Sequence, residues 1–258
     1  MNKPLFSIIT VCFNSERTIK RTIESVLRQG FTDYEYLIID GLSTDRTLEI
    51  ANQYLPLFKG RMSIFSESDS GIYDAFNKGI LRSNGVYCWL VNSDDYISEN
   101  ALQIIANVYS SIKSVNTPIL VGDMQFVTSS GELIGVSKFD SFHLKNGFTN
   151  DYIGVPHPST LVPRDVYDTY GLYDTYYKII GDADWFHRVY AANVTFLPIN
   201  AVVTNMTDGG VSNQFSYKKS LRDRLHYLSK FYKNPVFWMY HFIVWNISFY
   251  LQKYSRLR

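Results

Sequence analysis

The sequence predicts an α/β fold, a mostly parallel sheet with helices on both faces, followed by a C-terminal helical tail. Three observations predict it. Near-continuous apolar segments of strand length recur through the first hundred residues, segments with helical spacing separate them, and acidic loops follow several of the strands directly. Strands buried on both faces read as unbroken apolar runs, and an intervening helix is what lets successive strands run parallel.

"LFSIITVCF" (5–13) supplies the first strand; its apolar stretch is too short to span a bilayer and lacks a small-residue cleavage site, so it reads as core rather than leader. "SERTIKRTIESVLRQ" then places Ile19, Ile23, Val26 and Leu27 on one helical face. "YEYLIID" (34–40) is the second strand, and in "STDRTLEIANQY" Ser43 or Thr44 is placed to cap a helix with Asp45 in its first turn. "MSIFSE" (62–67) is the third strand, "GIYDAFNKGILRS" a short helix, and "VYCWLV" (86–91) the fourth strand. The second half is less regular, with strand-like runs at 118–127 and 194–206 and a helix from Asp182 to about Ala192 that buries Trp185, Phe186 and Val189.

With 258 residues, 46% hydrophobic and 19% charged, the chain buries a sizeable core and is not disordered. From Tyr217 to Arg258 nine basic residues face Asp223 alone, a net +8; the whole chain carries +1, so residues 1–216 carry −7. The expected division is a domain over 1–213 and a basic, aromatic-rich segment over 214–258. A body biased toward acids argues against nucleic acid as a partner. Cys12 and Cys88 both lie in apolar runs and read as buried free thiols of a cytosolic protein.

Sheets of this kind bind ligands outside the carboxyl ends of their strands. Three strands end there in acidic loops, at Asp40, at Asp69 and at the pair Asp94–Asp95. Adjacent carboxylates repel. A hard divalent cation, Mn²⁺ or Mg²⁺, relieves them using one or two carboxylates and the phosphates of a substrate. The five histidines are scattered without zinc-like spacing. A diphosphate is then the expected ligand, with Asp40 and Asp69 free to read a base or ribose. No G-x-G-x-x-G follows the first strand, which sets a dehydrogenase aside, and "VCFNSERTIK" lacks the glycines of a nucleotidyltransferase phosphate loop.

"FSIITVCFN", "IIDGLSTDRT", "SESDSGIYDAFNKGI" and "WLVNSDD", in this order, resemble the inverting family 2 glycosyltransferases with the GT-A fold; the likeness covers about residues 4–212. The "GIYDAFNKG" form is similar to bacterial enzymes of O-antigen, capsule and exopolysaccharide synthesis. The resemblance implies transfer from a nucleotide-diphosphate sugar, a UDP-sugar foremost, to a glycan hydroxyl; a polyprenyl-diphosphate-linked acceptor is expected where the tail anchors the chain to the membrane. It implies a donor site of Asn14, Asp40, Ser43, Asp69, Gly71, Asn77, Lys78, Asn92, Ser93 and Asp94, with Asp40 on the nucleobase and Asp94 on the metal, supported by Asp95. Asn92 stands where the family usually has Asp. "GDADWFHRV" resembles the family's E-D-x-D segment with Gly181 in place of Glu, which points to Asp182 as catalytic base; Asp184 is the alternative, as base or as helix cap. His157, Asp184 and Trp185 would line the acceptor side, and "DGGVS" (208–212) resembles a glycine-containing loop near the site. A reading of another class is a membrane-associated scaffold that keeps the nucleotide pocket without catalysis, which Asn92 alone favours.

In the tail, the apolar run from Val236 to Leu251 is 16 residues long, short of the ~20 needed to span a bilayer. Aromatic residues surround it and a basic segment precedes it, a pattern expected of a peripheral anchor on the inner face of the cytoplasmic membrane. The other expectation is a helix pair packed on the body or on a second subunit.

Overall fold

The computed structural model describes residues 3–113, 117–139, 154–209 and 217–255. One nine-stranded sheet runs through the described residues. Its strands are β1 (Phe6–Cys12), β2 (Tyr34–Asp40), β3 (Met62–Ser66), β4 (Tyr87–Leu90), β5 (Tyr96–Ile97), β6 (Ile119–Val127), β7 (Leu133–Ser137), β8 (Thr160–Pro163) and β9 (Phe196–Thr207). The order is β3-β2-β1-β4-β8-β6-β9-β5, with β7 on β6. The helices are α1 (Ile19–Leu27), α2 (Thr47–Tyr54), α3 (Ile72–Arg82), α4 (Ala101–Ser111), α5 (Arg164–Tyr170), α6 (Gly181–Ala191), α7 (Tyr217–Phe231) and α8 (Pro235–Ser255).

Strands β3, β2, β1 and β4 are parallel, as the apolar runs predict. The second half differs: β8 lies antiparallel between β4 and β6, while β9 pairs parallel with β6. β8 enters from a one-turn 3₁₀ segment, His157–Ser159, whose Pro158 carbonyl accepts the Trp89 indole N–H and the Thr204 hydroxyl, each at 2.8 Å. Those bonds hold the turn against the fully buried Trp89.

Alternation along the strands divides the core in two. Ile9, Val11, Leu37 and Ile39 face α3 and α6, whereas Phe6, Ile8, Tyr36 and Ile38 face α1 and α4. α6 buries Trp185, Phe186 and Val189, as its spacing predicts, and each such side chain contributes about 1.5–3 kcal/mol. Cys12 and Cys88 are buried and free, and burial pushes both thiols up. Ser43 and Thr44 do not cap α2; the N-cap is Arg46, and Asp45, just before it and outside the first turn, accepts the amide N–H of Thr47 at 2.9 Å.

The tail packs on the body. Tyr227 and Leu228 of α7 are buried in the α3/α6 core, and Trp238 and Phe242 of α8 lie against it. The expected boundary near 214 falls outside the described residues.

Candidate active site

The parallel register brings the strand ends together: Cys12 pairs with Asp40, and Asp40 with Ser66. Loops 13–18, 41–46, 67–71 and 91–95 therefore share one edge of the sheet. Asn14, in the left-handed region at φ 51°, accepts the Thr44 amide at 2.8 Å, while its own N–H donates to Ser43 Oγ at 2.8 Å. Asp40 is fully buried. One of its oxygens accepts the Ser43 hydroxyl and the Cys12 thiol, the other the Ser66 hydroxyl at 2.6 Å and the Ser43 amide at 3.1 Å. This corrects the nucleobase expectation: Asp40 shapes the loop and turns no free oxygen toward a ligand. Ser43 completes that loop.

Asp69 remains at the edge. Its Oδ1 accepts the amide of Gly71, the N-cap of α3 at φ 128°, and its Oδ2 lies where a Cβ on residue 41 would stand 2.5 Å away. Gly41 is thus what lets the carboxylate in. Lys78 donates to the Ser68 carbonyl at 2.5 Å and pairs with Asp74 at 3.3 Å, holding the loop that carries Asp69. Asn77 is buried, and both ends of its amide are bonded to the backbone of Tyr173, at 2.8 and 2.9 Å. It clamps loop 171–180 to α3 and is not a donor ligand, a second correction.

In the acidic pair the two residues divide. Asp95 is 2% exposed and accepts the Thr207 amide at 3.0 Å and the Asn92 side-chain amide at 3.2 Å. Both oxygens are engaged, so Asp95 fixes the loop to β9. Burial, with the Asp94 charge beside it, holds its carboxyl above the usual carboxylate range. Asp94 is half-buried, which raises its carboxyl too, and takes no side-chain bond from another described residue. Beside it, Asn92 Oδ1 is buried without a hydrogen-bond partner, and Ser93 is tied to Ser15 by a hydroxyl pair at 2.8 Å. No group of three or more His, Cys, Asp or Glu among the described residues encloses a cation. The loop nevertheless fits a hard ion that takes most of its ligands from a diphosphate, with Asp94 as the carboxylate and the orphaned Asn92 oxygen within the same loop.

Asp182 sits in the first turn of α6, half-buried, with Oδ1 accepting the Ala183 amide at 2.9 Å and lying 3.4 Å from the Tyr73 hydroxyl. A Cβ on Gly181 would come within 2.8 Å of the Tyr73 ring, so the glycine lets ring and helix start lie in contact. His157 is near enough for the Asp182 charge to favour its protonation, but burial dominates and lowers its pKa; its Nε2 meets the Tyr173 hydroxyl at 3.0 Å. Asp184 and Trp185 are both packed into the core. Asp184 is fully buried, bonded to Lys230 at 2.6 Å, Arg188 at 3.0 Å and the Tyr177 hydroxyl at 3.1 Å, and Trp185 is fully buried with its indole N–H on the Gly171 carbonyl. Less than one helical turn separates them from Asp182, and that rotation carries positions two and three residues on to the inward face. Of the "DGGVS" loop only Asp208 and Gly209 fall within the described residues.

Sequence reading missed three residues here. Phe13, 62% exposed, stands beside Gly41, where its ring edge approaches a residue-41 Cβ at 3.5 Å; an apolar residue exposed just past a buried strand is the signal. Lys178 reaches the Ser70 carbonyl at 2.6 Å, and Tyr73 bridges Ile179 and Asp182. Neither contact leaves a sequence signal, since each spans more than a hundred residues.

A parallel sheet edge that carries Asp69 and Asp94, with a third acid delivered by a separate helix, is where an α/β protein of this class binds its ligand. The sequence profile described as Glycosyl transferase family 2 matches residues 7–171, and the chain belongs to that family. It is 29% identical over 225 residues to a PGL/p-HBAD biosynthesis glycosyltransferase of Mycobacterium bovis, covering 86% of this chain and 84% of the relative. It is 36% identical over 101 residues to the putative teichuronic acid biosynthesis glycosyltransferase TuaG of Bacillus subtilis, covering 39% of this chain and 40% of that one. Among solved structures it resembles S. aureus TarS 1-349 in complex with UDP-GlcNAc, with a TM-score of 0.71 and 21% identity over 89% of this chain and 67% of that one. It spans 40% of the longer TarS chain. The fold is thus the GT-A fold and the chain is a glycosyltransferase; Asp182 and the tail lie beyond the segment that the family profile matches.

Proposed function

We propose that this glycosyltransferase moves a sugar from a UDP-sugar to a hydroxyl of a polyprenyl-diphosphate-linked glycan in cell-surface polysaccharide synthesis, inverting the anomeric centre. The observation that carries this reading is that Asp182, from a helix of the second half, is drawn to the edge that carries Asp69 and Asp94, through Tyr73 and through Lys178 on Ser70. Asp182 accepts the proton of the acceptor hydroxyl as that oxygen attacks the anomeric carbon from the face opposite the nucleotide. The bond to the diphosphate oxygen breaks and its electron pair leaves with UDP. Phe13 offers a ring to the base, and Asp69 accepts from a ribose or base donor. Asp94 would hold Mn²⁺ or Mg²⁺, which when bound offsets charge on the leaving diphosphate. The names of the mycobacterial and Bacillus relatives and the UDP-GlcNAc complex of TarS support the donor and pathway class.

The lipid link is supported by the outer face of α8. Val236, Met239, Tyr240, Ile243 and Ile247, each more than half exposed, each have another of the set three or four residues away and form one stripe. Cationic Lys218, Arg222 and Lys233 lie on or beside α7. No described helix is long and apolar enough to cross a membrane, so the stripe would lie on an anionic inner leaflet.

Calorimetric titration with UDP, GDP and dTDP, with and without Mn²⁺, tests the donor site. Metal-dependent UDP binding lost in Asp94→Ala is expected, and binding equal in the variant would refute the metal site. Asp182→Ala should keep UDP binding and lose turnover; retained turnover removes the base, and no turnover by the wild type with any UDP-sugar and lipid extract would favour the scaffold reading. Flotation with phosphatidylglycerol vesicles should be lost in Ile243→Glu.

A further inference from the structure

Loop 171–180, between α5 and α6, ends in three consecutive amides that converge on one atom. The N–H groups of Lys178, Ile179 and Ile180 lie 2.8, 2.7 and 3.4 Å from Oδ2 of Asp223, on α7. Consecutive backbone amides turned to one side form a concavity suited to an anion, and here the anion is a side chain of the tail. Asp223 is fully buried, and its Oδ1 has no hydrogen-bond partner. A buried carboxylate half satisfied in this way is a poor device for stability alone, because the unpaired oxygen keeps its desolvation cost.

The same three residues lead directly to the site. Lys178 sends its ammonium to the Ser70 carbonyl at 2.6 Å, next to Gly71 and Asp69. The Ile179 carbonyl accepts the Tyr73 hydroxyl at 2.6 Å, and that hydroxyl also lies 3.4 Å from Asp182. The Ile180 carbonyl accepts the Asp184 amide at 3.2 Å, starting α6. Asp223 thus fixes a piece of chain that touches the donor loop, the tyrosine beside Asp182 and the helix that carries Asp182.

We propose that Asp223 is a positioning residue for transfer: the tail, by gathering amides 178–180, sets the place of Asp182 relative to the donor. This rests on the reading of Asp182 as base. Misplacing a catalytic group by about 1 Å costs on the order of 10²-fold in rate, so the contact should act on turnover and leave nucleotide binding alone.

The test uses the full chain as Asp223→Ala and Asp223→Asn beside Asp182→Asn. Three quantities are read: UDP affinity by calorimetry, amide exchange over 174–186 by mass spectrometry, and kcat with the UDP-sugar and lipid extract that support wild-type turnover. In D223A, exchange at 178–180 should rise and kcat should fall about tenfold or more, with UDP affinity and donor KM within about twofold. In D223N a neutral oxygen bonds the amides more weakly, so exchange rises less and kcat falls roughly two- to fivefold. Freed amides with unchanged kcat overturn the proposal, as does UDP affinity that falls in step with kcat, the mark of a merely structural role. Should D223A not fold, D223N decides by the same two criteria. Turnover retained in D182N removes the base and the proposal with it; an unaffected D223A beside an inactive D182N overturns the proposal alone.

Discussion

Asp184→Ala separates a structural acid from a catalytic one. The wild-type carboxylate is fully buried and accepts three bonds, from Lys230, Arg188 and the Tyr177 hydroxyl, which together join α6 to α7 and to loop 171–180. Breaking a buried pair by removing one partner costs about 3–5 kcal/mol. The two cations keep 34% and 24% of their side-chain surface exposed and recover water when the acid is gone, which puts the loss at the lower end, about 3 kcal/mol. For a chain of this size that lowers the melting midpoint by about 6–12 °C. Urea unfolding followed by circular dichroism reads the free energy, and Asp184→Ala combined with Lys230→Met should cost less than the sum of the single changes, because both remove the same ion pair and, without Asp184, Lys230 keeps its longer contact to Asp174 at 3.7 Å. Stability within about 0.5 kcal/mol of the wild type, or unchanged stability with turnover abolished, would refute the reasoning and return Asp184 to the list of candidate bases.

Asn77→Ala should cost about 2–3 kcal/mol in the same assay by orphaning the buried N–H and C=O of Tyr173, and UDP titration of the folded fraction should be unchanged. Asp40→Ala removes the buried acceptor of the half-buried Ser43 amide and hydroxyl and of the exposed Ser66 hydroxyl, both of which recover water in part, and should destabilise the chain by about 1 kcal/mol; a variant of wild-type stability that merely loses UDP affinity would restore Asp40 as a base reader. Burial holds the pKa of His157 below 6.5 in the folded chain, so the unfolded chain takes up that proton first as pH falls. The stability His157 contributes is therefore complete above about pH 6.5 and is lost below it, by at most about 1.4 kcal/mol per pH unit; His157→Gln should flatten the fall in urea midpoint between pH 7 and 5. His187, also lowered by burial, works in the same direction.

By itself the sequence determined the parallel half of the sheet, because unbroken apolar runs leave strands no exposed face, and it determined the acidic edge, because acids that directly follow such strands must lie at their carboxyl ends. It also marked the first turn of α6, a matter of local periodicity. Only the tertiary structure decided which acids are available. Asp40, Asp95 and Asp184 look like Asp69, Asp94 and Asp182 in the chain, yet their oxygens are taken up by Ser66, Thr207 and Lys230, partners 26, 112 and 46 residues away. Asn77 likewise is fixed by Tyr173, and Asp223 by amides 43 to 45 residues before it. Periodicity reports which side of an element faces inward, but whether an inward carboxylate is saturated or free depends on donors that the fold delivers from distant segments, and no local pattern records their arrival.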